Sequence, residues 1–299
     1  MDFSMIQNDR RYALGTAAWC RAAVLLLALA ADVAGAAVPA EPVSFPSRDG
    51  KTQLTGYLFK PDTPGPHPAV VMLHGRSGPY SSLAKGVYSA ETLSKRHKMW
   101  GGFWAERGYL ALLVDSFSPR SYPQGFPRHS YSQRPPEVSE QNVRPLDAYG
   151  ALDYLRARSD VLAGRIGVQG WSNGGMTVLA ALAPHPPGLA EPTPVSGFRA
   201  ALAFYPGCRA QEKQDDYKPY APLLMFVAAE DEEVSPLACL RLAARVKTAG
   251  GSLEAVRYGG AQHAFDDPGK TRQSREANRL ATADSMQMAE AFFRRHLSR

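Results

Sequence analysis

Five short, nearly uninterrupted apolar runs constrain the fold of this chain more than any other feature. They are Ala69 to Leu73, Tyr109 to Val114, Ile166 to Gln169, Ala200 to Phe204 and Leu223 to Ala228. None alternates polar with apolar residues, as a strand with one wet face does, and none is long enough for a buried helix. Strands covered on both faces have this composition, and parallel sheets cover both faces of their strands. Helical spacing fills the intervals, at about Met99 to Arg107, Val143 to Arg158, Gly174 to Leu182, Pro236 to Thr248 and Arg275 to His296. In the last of these, Leu280, Met288, Ala291 and Phe292 mark the expected buried face. Strand alternating with helix specifies an α/β fold, a doubly wound and mostly parallel sheet with helices on both faces. Val43 to Phe45 and Leu54 to Phe59 flank the turn residues Ser47-Arg48-Asp49-Gly50 and read as an N-terminal hairpin. Leu253 to Tyr258 is more polar and suits an edge strand. Loops at the carboxyl ends of such strands hold the ligand, so the chemistry is expected there.

The N-terminus reads differently. Arg10, Arg11 and Arg21 precede the apolar run Ala22 to Ala30, and Ala34-Gly35-Ala36 follows. A basic region, a short apolar region and a small-residue site are the three parts of a secretory signal. Residues 1–36 are therefore expected to be removed near Ala36, which places the protein in the periplasm or outside the cell. The apolar run is too short to cross a bilayer, so no membrane anchor is expected after cleavage. Residues 37–299 suffice for one α/β domain. Hydrophobic residues at 44% support a sizeable core and argue against disorder. Lys and Arg number 34 against 28 Asp and Glu, but no basic block forms the stripe that nucleic-acid binding requires. Of three cysteines, Cys208 and Cys239 lie outside the signal, and an even count in an oxidising compartment favours a disulfide. Nothing in the sequence specifies an oligomeric state.

One connection is unusually long. Ser116 to Asn142 carries five prolines, the aromatics Phe117, Tyr122, Phe126 and Tyr131, and the bases Arg120, Arg128 and Arg134. It reads either as a lid or binding loop, or as a surface excursion packed by its own aromatics.

Between the strand Arg165 to Gln169 and the helix beginning at Met176 lies Gly170-Trp171-Ser172-Asn173-Gly174-Gly175. A Gly-x-Ser-x-Gly turn from strand to helix lifts a serine hydroxyl above the sheet, because the glycines let the two elements approach without a Cβ clash. The helix N-terminus behind it favours developing negative charge. Ser172 is thus the expected nucleophile. It needs a base and an orienting acid, in the chain order serine, acid, histidine. Glu230-Asp231-Glu232-Glu233 follows the strand at Leu223, and spacing alone leaves all four open. Among seven histidines, His263 lies in a glycine-rich loop after the last strand. The loop Leu73-His74-Gly75-Arg76 and the turn after Ser172 nominate the backbone amides of Arg76 and Asn173 as an oxyanion hole, with His74 as a support for the loop.

These pieces together resemble the dienelactone hydrolase family of α/β-hydrolases over nearly all of residues 37–299. The resemblance rests on Leu73-His74-Gly75, Gly108-Tyr109, Val114-Asp115-Ser116-Phe117, the serine turn, Tyr205-Pro206-Gly207-Cys208, Asp231-x-x-Val234 and Tyr258 to Phe265. It implies Asp231 as the triad acid and a Cys208–Cys239 bridge near the active-site edge. The best-known members carry a cysteine nucleophile and a glutamate after the loop residue, where this chain has Ser172 and Gly75. The substrate therefore need not be dienelactone.

The combined expectation is hydrolysis of a small carboxylic ester or lactone through an acyl-enzyme. Ser172, His263 and Asp231 would act, with Arg76, Arg120 and Trp171 as substrate contacts and no metal or organic cofactor. A peptidase or acyltransferase of the same fold, or a binding protein on a hydrolase scaffold, are the competing readings.

Overall fold

The computed structural model describes residues 38–298. The expected signal segment lies outside them. Among the described residues no helix is long and apolar enough to cross a membrane.

The strands are β1 (Ala40–Pro46), β2 (Gln53–Phe59), β3 (His67–Leu73), β4 (Leu110–Asp115), β5 (Val161–Trp171), β6 (Ala201–Phe204), β7 (Leu223–Ala228) and β8 (Leu253–Tyr258). They form one eight-stranded sheet in the order β1-β2-β4-β3-β5-β6-β7-β8. The β1–β2 hairpin is antiparallel and β2 meets β4 antiparallel. Every other neighbouring pair is parallel.

The helices are α1 (Lys95–Ala105), α2 (Arg144–Arg156), α3 (Asn173–Ala181), α4 (Arg209–Glu212), α5 (Pro236–Thr248), α6 (Lys270–Gln273) and α7 (Glu276–Leu297). Period-two alternation splits each central strand between two cores. Leu223, Met225 and Val227 of β7 join Leu152 of α2, Val178 of α3 and Leu242 of α5 on one face. Leu224, Phe226 and Ala228 join Trp100 and Trp104 of α1 and Phe293 of α7 on the other. Both faces of the strands are dry, which is why their sequences do not alternate.

The start of α1 and the buried face of α7 differ from the pattern read in the sequence. Helix α1 begins four residues early because Ser94 caps it, its hydroxyl accepting the His97 N–H. Helix α7 buries Asn278, Ala281, Ser285, Ala289, Phe292 and Phe293, so its inner face is rotated from the expected one. Leu280 is half exposed and Ala291 exposed. The loop after β8 bonds to the α6–α7 segment: Asn278 Oδ1 accepts the Gln262 N–H, and the Phe265 carbonyl accepts from Gln273 of α6 and Thr282 of α7.

The long connection from Ser116 to Asn142 is packed by its own aromatics. Phe117 and Tyr122 pack on Phe126, with ring centroids 5.1 and 5.2 Å apart, and Arg134 lies over Phe126 and Tyr131. Its Arg128, His129 and Tyr131 border the cavities described next.

Candidate active site

Strand β5 ends in the serine turn, and two glycines make the turn possible. A Cβ on Gly174 would stand 1.9 Å from the Leu73 carbonyl oxygen, and one on Gly170 would stand 2.2 Å from that of Gly174. Ser172 itself has φ 52°, a conformation that costs a non-glycine residue about 1–3 kcal/mol and occurs where surrounding structure enforces it. The Ser172 N–H donates to the Phe204 carbonyl at 2.9 Å, which locks the turn to β6.

The His263 ring lies beside it. Its Nε2 is 2.9 Å from Ser172 Oγ and its Nδ1 is 2.8 Å from Asp231 Oδ2. With Asp231 ionised, Nδ1 carries the proton and Nε2 is left as an acceptor for the serine hydroxyl. Asp231 is itself fixed: its Oδ1 accepts the N–H groups of Glu233 and Val234 at 2.8 and 2.9 Å. The other three acids have partners of their own, and Glu233 Oε2 also lies 3.8 Å from His263 Nε2. Glu230 pairs with Arg275, and Glu232 accepts from the His263 N–H and from Arg272. Glu233 pairs with Arg76 and Arg128. Burial pushes the Glu233 carboxyl up, but hydrogen bonds from Arg76 and the charges of Arg76 and Arg128 outweigh it and hold it down at about 2.

Ser172 faces two cavities. One of about 430 Å³ is lined by Gly75, Arg76, Tyr205, Glu233 and His263. The other, about 680 Å³, is lined by Asn173, Met176, Cys208, Val234 and Pro236. The Arg76–Glu233 pair belongs to both and stands between them. Neither the Arg76 nor the Asn173 amide donates to a protein acceptor among the described residues, and Asn173 opens α3. Both donors are thus free for an oxyanion.

His74 is fully buried and supports this loop. Its Nδ1 donates to the Gly75 carbonyl at 2.7 Å, while Nε2 accepts the Ser116 N–H. Burial and the nearby Arg144 keep it neutral, well below an ordinary histidine. Arg144, unremarked in the sequence, is also wholly buried and donates to the His74 carbonyl at 2.7 Å. Burial lowers its guanidinium to about 10.

Two expected substrate contacts are corrected. Arg120 is 5% exposed and lines neither cavity at Ser172, because Asp147 and Asp49 enclose its guanidinium. Trp171 is fully buried, its indole N–H directed to Asp266 beneath the site. Arg76 does line the cavities, but Glu233 and the Phe126 carbonyl occupy its donors. Sequence pattern cannot distinguish a loop arginine that meets substrate from one that meets a distant carboxylate. Cys208 and Cys239 are bonded to each other, joining the segment after β6 to α5 at the rim of the larger cavity.

Comparison with known proteins agrees with this architecture. A Bradyrhizobium protein carrying the name "probable 2-oxo-3-(5-oxofuran-2-ylidene)propanoate lactonase" is 27% identical over 229 residues, 73% of this chain and 81% of its own. A dienelactone hydrolase-like promiscuous phosphotriesterase from metagenomic libraries superposes with a TM-score of 0.60 at 18% identity, covering 86% of this chain and 98% of its own. Native esterase 2 of Thermogutta terrifontis also gives 0.60, at 19% identity, covering 86% and 92%. The sequence matches the family described as the dienelactone hydrolase family from residue 54 to residue 297. With that match spanning most of its length, this chain belongs to the dienelactone hydrolase family.

Proposed function

We propose that this protein is an exported serine hydrolase of small carboxylic esters or lactones. Ser172 Oγ attacks the carbonyl carbon while His263 Nε2 takes the hydroxyl proton. The Arg76 and Asn173 amides receive the oxyanion, and Asp231 holds the imidazole tautomer and stabilises the imidazolium. Collapse expels the alcohol, protonated by His263, and leaves an acyl-Ser172. Water then attacks with His263 as base, and the acid departs as the serine regains its proton.

The observation that carries this reading is the continuous Asp231–His263–Ser172 hydrogen-bond chain opening on a cavity beside two unengaged amides. The names of the relatives, a lactonase and an esterase, support the same reaction class. Export is supported by the signal-like residues 1–36 and by a disulfide that an oxidising compartment preserves. Labelling with a fluorophosphonate, followed by assays on p-nitrophenyl esters of increasing chain length and on small lactones, tests the proposal. Wild type should label and turn over, and Ser172→Ala should do neither; equal labelling of the two would overturn it.

A further inference from the structure

Three residues beyond His263, Asp266 places a fully buried carboxylate directly beneath the triad. Its Oδ2 accepts the indole N–H groups of Trp100 and Trp171, each at 2.8 Å. Its Oδ1 accepts the Tyr205 hydroxyl at 2.5 Å, and Arg96 Nε approaches to 3.4 Å as counter-charge. The donors come from α1, from the end of β5 and from the residue after β6. A carboxylate taken wholly out of water costs several kcal/mol unless such partners surround it. Burial and Asp266 push the Tyr205 phenol well above its usual range against the opposing pull of Arg96, so it stays protonated and donates.

Two of these bonds lead to the reacting groups. Trp171 immediately precedes Ser172. The Tyr205 ring lies edge-on to the His263 imidazole, centroids 4.8 Å apart at 61°. Backbone strain gathers at the same place. Of six non-glycine residues with positive φ among the described residues, Ser172, Tyr205 and Ala264 flank this carboxylate or its donors, at 52°, 38° and 58°. Strained residues of this kind persist only where other contacts over-determine them. Ala264 makes the turn that lets His263 and Asp266 both point inward from one loop.

From this geometry we infer that Asp266 is a positioning residue for the reaction, one carboxylate that holds the nucleophile turn through Trp171 and the imidazole through Tyr205. The inference rests on the triad reading above. Asp266 touches neither substrate nor the reacting atoms; it fixes where Ser172 Oγ and His263 Nε2 meet, and misplacing reacting groups by about 1 Å can cost a hundredfold in rate.

The test uses the full-length protein and counts active sites by fluorophosphonate titration, so that the rate is read per competent site. Asp266→Asn keeps the shape of the side chain and can still accept from the two indoles. It is expected to lower kcat per labelled site tenfold or more with KM changed less than threefold. Tyr205→Phe, which removes only the hydroxyl, should lower it by a smaller factor in the same direction. Leu155→Ala, a truncation in the opposite core, should lower Tm while keeping the rate per labelled site. A wild-type per-site rate in Asp266→Asn would overturn the inference, whatever its Tm. If that variant does not fold, unchanged per-site rates in both Tyr205→Phe and Trp171→Phe overturn it instead. A folded wild type that does not label would overturn the triad reading and this role together, whereas a labelled wild type beside an unaffected Asp266→Asn removes this inference alone.

Discussion

Replacing Arg120 by methionine separates a structural arginine from one that binds substrate. Arg120 Nη1 and Nη2 reach the two oxygens of Asp147 at 2.9 and 2.8 Å, and Nη2 reaches Asp49 at 2.9 Å. Nη1 also donates to the Ser116 carbonyl at 2.8 Å, so the side chain fastens the start of the long connection to α2. Asp147 is fully buried, and without the guanidinium it keeps the Ser47 hydroxyl, which donates to its Oδ1 at 2.7 Å. Removing one partner of a buried pair typically costs about 3–5 kcal/mol, because the other charge is stranded. At a few degrees per kcal/mol for a chain of this size, Tm should fall by roughly 10 °C. Burial already holds the Asp147 carboxyl above its usual value, and losing Arg120 raises it further. The folded variant then takes up a proton that the unfolded chain does not, so its deficit should shrink as pH falls from 8 to 5. Asp147→Asn in the same background should recover part of the loss. Thermal denaturation across pH, with KM measured on neutral and carboxylate-bearing p-nitrophenyl esters, reads both effects. Unchanged stability together with a raised KM for the carboxylate-bearing ester alone would refute the reasoning and restore Arg120 as a substrate contact.

Three further outcomes follow from the same structure. Burial holds His97 down at about 4, so the folded protein excludes a proton that the unfolded chain binds near 6.5. Its contribution, about 3 kcal/mol, is present above pH 6.5 and lost as pH falls towards 4; His97→Gln should flatten that part of a chemical-denaturation profile. Cys208 and Cys239 are 31 residues apart, and breaking their bond should cost about 3–4 kcal/mol on the loop-entropy model, read as a lower Tm with reductant or in Cys239→Ala. Gly174→Ala drives a methyl into the Leu73 carbonyl and should abolish fluorophosphonate labelling even in protein that retains helical circular dichroism.

How much of this was legible in the sequence depends on whether the signal was local. The apolar runs marked β3, β4, β6 and β7 to within two residues, because a strand covered on both faces must be apolar throughout. The serine turn was equally plain, since its glycines answer a clash between adjacent elements. The four acids after β7 were not separable by spacing; resemblance to the family pointed to Asp231, and the fold then gave each neighbour a different arginine or amide. Arg144 and Asp266 carried no local mark, and nothing local gave the partner of Glu233. Their partners lie far off in the chain: Arg144 meets the His74 carbonyl, Glu233 meets Arg76, and Asp266 meets Trp100 on α1.

The chain by itself therefore determined the α/β layering, the serine turn and the order of the candidate nucleophile, acid and base, because the layering and the turn follow from which faces must be dry and from backbone sterics. Tertiary structure alone decided which charges meet. Whether an arginine faces substrate, as Arg120 was expected to, or neutralises a buried carboxylate, as it does, depends on which segments the sheet order brings together. A buried charge must find its partner wherever the fold places one, and that pairing has no period that a sequence can display.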